Sequence, residues 1–89
     1  EALQWGLVNR VVPTAELMTA TVALANQIAQ NAPQALGMAK RLVDQGDGLD
    51  KQTQMALERW AQSQLLATND VQEAVAAFME KRAPKFTGE

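Results

Sequence analysis

Prolines at 13, 33 and 84, together with the glycines at 46 and 48, cut this 89-residue chain into segments of helix length. No other feature constrains the fold as strongly. Proline lacks the N–H that a helix interior needs and disfavours helical conformation at the residue before it, so helices begin at these positions or stop short of them. Hydrophobic residues between the breaks recur at helical spacing, which predicts an all-α chain of about four helices over residues 14–30, 33–45, 50–67 and 70–82. Leu7-Val8-Asn9-Arg10-Val11-Val12, rich in β-branched residues and bracketed by Gly6 and Pro13, reads as a short strand over 7–12. Such a strand needs a ladder partner, and no other stretch offers one. The other reading of the same residues is an extended linker strapped across the helices.

Each helix carries its own start and stop signals. Thr14 follows Pro13 as an N-cap, with Glu16 in the first turn where the helix dipole favours negative charge. Pro33 suits the first position of the second helix, and Gly46 is placed as its C′ residue before an Asp47-Gly48 turn. Asp50 caps the third helix. That helix carries one stripe through Ala56, Leu57, Trp60 and Ala61 and a mixed one through Met55, Arg59, Gln62 and Leu66, a pattern of burial on two sides. Asp70 and Glu73 fit a capping box for the last helix, which turns Val71, Ala74, Val75 and Phe78 one way and Glu73 and Glu80 the other. A chain of this size buries only ~60–65% of its unfolded surface, so the core is expected to be thin.

The residue inventory excludes most site chemistry. There is no cysteine and no histidine, hence no disulfide, no thiolate metal site and no imidazole base. A net charge of -2 gives no footprint for nucleic acid, and no apolar run approaches the ~20 residues of a membrane span. No signal peptide opens the chain, which places the protein in the cytoplasm as an expectation. It opens on Glu1, in what reads as the end of a helix, which gives the expectation of a fragment.

Glu73 and Glu80 share a face without apolar neighbours and read as solvated. Asp44 and Asp47 lack the remaining ligands of a calcium loop, and Gly46-Asp47-Gly48 matches no phosphate-binding pattern. Ser63, the only serine, has no activating base. One local concentration remains, Lys81, Arg82 and Lys85 beside Phe78 and Phe86, which could hold an anionic group. Helix-end capping explains those cations equally well.

The order of these residues adds a further line. Gly6-Leu7-Val8-Asn9-Arg10-Val11-Val12-Pro13, then Ala32-Pro33-Gln34-Ala35 and Lys40, then Thr68-Asn69-Asp70, Glu73, Ala77-Phe78-Met79-Glu80-Lys81-Arg82, Pro84-Lys85-Phe86-Thr87-Gly88 resembles the C-terminal helical region of the enoyl-CoA hydratase/isomerase (crotonase) family. The resemblance implies that residues 1–13 connect to a catalytic core of ββα repeats absent from this chain, and that 14–89 form a C-terminal helical oligomerisation domain. It implies hydration of 2-enoyl-CoA thioesters by two glutamates and an oxyanion hole, all of them upstream, so no catalytic residue falls in 1–89.

It further implies a homo-oligomer, a trimer or a dimer of trimers, with coenzyme A thioester as substrate and no tightly bound cofactor, metal, nucleic acid or membrane partner. Lys81 corresponds to a lysine that reaches the phosphate-ribose end of coenzyme A in a neighbouring subunit. Gln62 and Ser63 stand where some relatives carry an aromatic residue for the adenine. Isomerisation or another acyl-CoA reaction, or a free-standing helical interaction module, are the competing readings.

Overall fold

In the computed structural model, which describes residues 1–89, the chain is helical wherever the proline and glycine breaks allow, and no strand forms. Four α-helices follow one another: α1 Leu17–Ala29, α2 Pro33–Gly46, α3 Lys51–Leu65 and α4 Asn69–Glu80. The chain is all-α, as its pattern predicts. Of the two readings of residues 7–12, the structure takes the extended strap, because every other segment is helical and no partner can supply a strand's ladder. Asn9, Arg10 and Val12 line a cleft with Leu17, Ala20 and Leu24, so the strap lies along α1. Residues 1–6 make a single turn closed by Leu7 N donating to Ala2 O (2.9 Å) and Gly6 N to Leu3 O (3.2 Å), with Gly6 left-handed at φ 74°. That is the hydrogen-bond signature of a helix end.

The helix boundaries shift where capping differs from the sequence reading. Thr14 makes no side-chain cap; residues Thr14–Glu16 form a 3₁₀ turn, with Glu16 N donating to Pro13 O (2.9 Å), and α1 begins at Leu17. At the other end, Asn31 Nδ2 donates to Ile28 O (3.0 Å) and satisfies a terminal carbonyl of α1. Pro33 takes the first position of α2 as expected, with Ala32 extended at φ -58°, ψ 121°. Asp50 caps α3 as expected, accepting from Gln52 N (2.9 Å) and Thr53 N (3.1 Å), and its carboxyl is held below the usual range chiefly by the Thr53 hydroxyl.

Gly46 is not the C′ residue. It belongs to α2, and the left-handed conformation falls on Gly48 at φ 82°. Gly46 faces Gln54 of α3: a Cβ there would lie 2.8 Å from its Oε1, and the Gln54 side chain would have to shift. Helices α2 and α3 therefore approach closely and form the one substantial helix pair, an αα-hairpin joined by residues 47–50. Met38, Leu42, Leu57 and Ala61 meet in the seam, where Ala61 is fully buried.

Burial elsewhere is sparse. Only Ala61, Ala77 and Asp70 are buried, and none of them is large. The molecule is a plate of 43 × 38 × 19 Å with a radius of gyration of 16.8 Å. A compact domain of this length has a radius near ~12 Å. Its accessible surface is 7507 Å², against about 5,100 Å² for a globular monomer of equal mass. Many of its large apolar side chains are exposed. Trp60 is 61% exposed, and on α3 both Met55 and Leu66 are also exposed, so the second stripe of that helix finds no partner within the chain.

Candidate functional site

Residues at the end of α4 and in the tail after it converge as the sequence suggests, but with different roles. Helix α4 is capped by Thr68, whose Oγ1 accepts from Val71 N (3.3 Å), rather than by a capping box at Asp70. Asp70 is thereby free to face the tail. The chain reverses at Lys81, and the Asp70 carboxylate accepts from Thr87 N (2.8 Å) and Gly88 N (2.9 Å) while remaining only 3% exposed. Asp70 N donates to Glu89 O (3.1 Å), and Gln34 Nε2 of α2 donates to Gly88 O (2.7 Å). The tail thus straps α4 to the start of α2. Gly88, left-handed at φ 83°, sits against Pro33, the ideal Cβ position lying 3.5 Å from its Cγ.

Glu73 holds the other end of the strap. Its carboxylate takes a bidentate pair from Arg82, Nη1 to Oε1 at 2.6 Å and Nη2 to Oε2 at 3.0 Å, and a third bond from Lys85 N at 2.8 Å. Arg82 Nε also reaches Glu80 Oε2 at 2.6 Å. The Arg82 guanidinium and then the Lys85 amide hold the Glu73 carboxyl down to about 2, and Glu73, with Glu80 second, holds Arg82 above its ordinary range. The solvated-face reading of Glu73 is corrected: its side chain is only a quarter exposed and fully engaged. Glu80 fits that reading better, at 61% exposed.

A pH titration follows from this pairing. A depressed carboxyl contributes stability that is present above its unfolded value of about 4.5 and is lost as pH falls through about 2. The Lys85 amide is therefore expected to stay protected at pH 4 and to lose protection between pH 4 and 2. Amide exchange measured across that range checks it.

Lys81 is the only non-glycine residue with positive φ, at φ 55°, ψ 40°. It occupies the C′ position of a Schellman motif, with Arg82 N donating to Ala77 O (3.0 Å) and Lys81 N to Phe78 O (3.3 Å). A lysine there costs about 1 kcal/mol that a glycine would not. Its ammonium makes no ion pair, whereas Arg82 makes two. The cluster of Lys81, Arg82, Lys85, Phe78 and Phe86 therefore does not close into one pocket. Arg82 is consumed by carboxylates, Phe86 turns inward beside Ala35 and Leu65, and Phe78 is 82% exposed.

The covered face of α4 overlaps the expected one only at Val71 and Ala74, which line a cleft with Ala35 and Phe86. Asp70 and Ala77 lie inside and Glu73 is partly covered, while Val75, Phe78 and Met79 lie outside. Sequence reasoning missed Asp70 as a tail anchor. The available signal was the i,i+3 pairing of Asp70 and Glu73 ahead of a helix-stopping Pro84. No three acidic side chains approach closely enough to hold a metal ion, and no helix is long and apolar enough to cross a membrane.

Known proteins with this pattern share the whole of it. The family model described as enoyl-CoA hydratase/isomerase matches residues 1–89. The chain is 42% identical over 82 residues to a short-chain-enoyl-CoA hydratase of Clostridium acetobutylicum, covering 92% of this chain and 31% of that protein. It is 36% identical over 88 residues to the 2,3-dehydroadipyl-CoA hydratase of Escherichia coli, covering 99% of this chain and 34% of that protein. A crystal structure of an enoyl-CoA hydratase from Bacillus anthracis superposes with a TM-score of 0.93 at 36% identity, covering 99% of this chain and 34% of that one. The chain thus spans about a third of the length of the curated relatives it matches. A likeness in sequence over the full 89 residues, joined to the same path of helices and tail in space, places this chain in the enoyl-CoA hydratase/isomerase family.

Proposed function

We propose that residues 1–89 are the C-terminal helical region of an enoyl-CoA hydratase-like enzyme acting on 2-enoyl-CoA thioesters. Residues 1–13 lead out of its catalytic core, and residues 14–89 serve subunit association and cover the acyl-CoA site. The observation that carries this reading is the bare apolar surface. A plate with about 2,400 Å² more accessible surface than a globular monomer of its mass has more than a standard interface requires, about 800 Å² per partner. Trp60 on α3 and Phe78 and Met79 on α4 are side chains that need a covering partner.

Helices of this kind suit a homo-oligomer, a trimer or a dimer of trimers, in which the tip of α4 reaches a neighbouring subunit's ligand. Lys81 supports that role by its chemistry. It is an exposed, unpaired ammonium held at a helix end in a conformation that favours glycine. A lysine point charge is well matched to a phosphate of coenzyme A. In the full-length enzyme, Lys81→Met is expected to raise KM for crotonyl-CoA about fivefold, the loss of one charge-assisted contact, with little change in kcat. An unchanged KM would remove Lys81 from the ligand.

Crotonyl-CoA hydration by the full-length protein separates this reading from isomerisation. In that assay a product retaining its double bond would replace the hydratase with the isomerase reading.

A further inference from the structure

The chain reverses at Lys81, and the tail that follows is pinned back onto α4 by one carboxylate. Before it, α4 runs helical to Glu80. After it, Arg82 and the Lys85 amide bind the Glu73 oxygens at 2.6, 3.0 and 2.8 Å. Arg82 also closes the Schellman motif through its own N–H to Ala77 O. The left-handed backbone of Lys81, unfavourable for a lysine in isolation, is thus over-determined by its neighbours. Such a conformation persists only where surrounding contacts enforce it.

From this arrangement we infer that Glu73 is a positioning residue for Lys81, fixing through Arg82 and the Lys85 main chain the point at which the ammonium meets the coenzyme A phosphate. The inference rests on the reading of Lys81 as a ligand contact given above. Glu73 touches no substrate. It ties the tail that follows Lys81 back onto α4, so freedom that phosphate binding would otherwise have to remove is already spent in the folded enzyme. Glu80 assists by holding Arg82 Nε at 2.6 Å, but makes no bond to the tail main chain.

The test compares two thioesters in the full-length enzyme, crotonyl-CoA and crotonyl-pantetheine, the second lacking the ribose and its phosphates. Glu73→Gln is expected to raise KM for crotonyl-CoA about fivefold, since a neutral amide cannot hold the guanidinium bidentately. KM for crotonyl-pantetheine is expected to move by less than about twofold, because that substrate never meets Lys81. Adding Lys81→Met to Glu73→Gln is expected to raise KM for crotonyl-CoA little beyond Lys81→Met alone, as two steps of one contact are not additive.

Equal increases for both thioesters would overturn the inference and leave Glu73 as a staple of the tail alone. An effect of Lys81→Met with none of Glu73→Gln would also overturn it while sparing the Lys81 contact. A silent Lys81→Met would remove the contact itself.

Discussion

Replacing Asp70 with alanine is expected to release residues 86–89 and to destabilise the helical region by roughly 2–3 kcal/mol, the loss of two hydrogen bonds to a buried carboxylate. The geometry makes this the most sensitive point in the chain. Asp70 is the one buried charged residue, and both its oxygens are occupied, by Thr87 N and Gly88 N. Removing the carboxylate leaves those two amides without a partner and undoes the register that lets Gln34 reach Gly88 O and Asp70 N reach Glu89 O. Few other contacts hold the tail to the start of α2. Asp70→Asn keeps one acceptor oxygen and is expected to fall between parent and alanine.

Residue-resolved amide exchange on the full-length protein reads the effect directly. Thr87 and Gly88 should lose their protection in Asp70→Ala while Gln52 and Thr53, capped separately by Asp50, keep theirs. Unchanged exchange at Thr87 and Gly88 would show that the strap is held by something other than Asp70.

Local signals in the sequence carried the helices well. Pro33, Asp50 and the helical period act within one or two turns, and the structure places α2 and α3 within one or two residues of the expected bounds. Capping was less legible. Thr14 resembles a cap, yet the chain leaving Pro13 makes a 3₁₀ turn and defers the helix to Leu17. Thr68, two residues ahead of the predicted start, takes the cap instead of Asp70.

What the sequence concealed was long-range. The bonds from Asp70 to Thr87 and Gly88 span 17 and 18 residues, and no local spacing rule announces them. The inward face of α4 was misjudged for a related reason. Hydrophobicity identifies which side chains need cover, not who covers them. Val75, Phe78 and Met79 are apolar but exposed, whereas the contacts inside the chain are made by Val71, Ala74, Ala77 and two carboxylates. The two-sided stripe of α3 was legible for the same physical reason, since Met55 and Leu66 also find no partner within the chain.

The second large effect concerns that uncovered surface. In the assembled enzyme Phe78 and Met79, 82% and 75% exposed in this chain, are expected to be shielded from solvent. Side chains of this size gain about 1.5–3 kcal/mol each on full burial. A stripe of them left bare on a plate with so little core would favour association or aggregation of the 89-residue chain. On the proposed reading, covering them would let a region with only three buried residues of its own become part of a stable protein.

Hydroxyl-radical footprinting of the full-length protein, with labelling of Phe78 and Met79 compared against the same peptide unfolded, measures this directly. Burial at an interface predicts labelling suppressed more than about tenfold at both residues, with Lys85 and Glu80 on the outer side of the strap much less affected. Labelling of Phe78 and Met79 in the assembled enzyme at the level of the unfolded peptide would contradict the account, leaving α4 a free helix face rather than a joint in a larger enzyme.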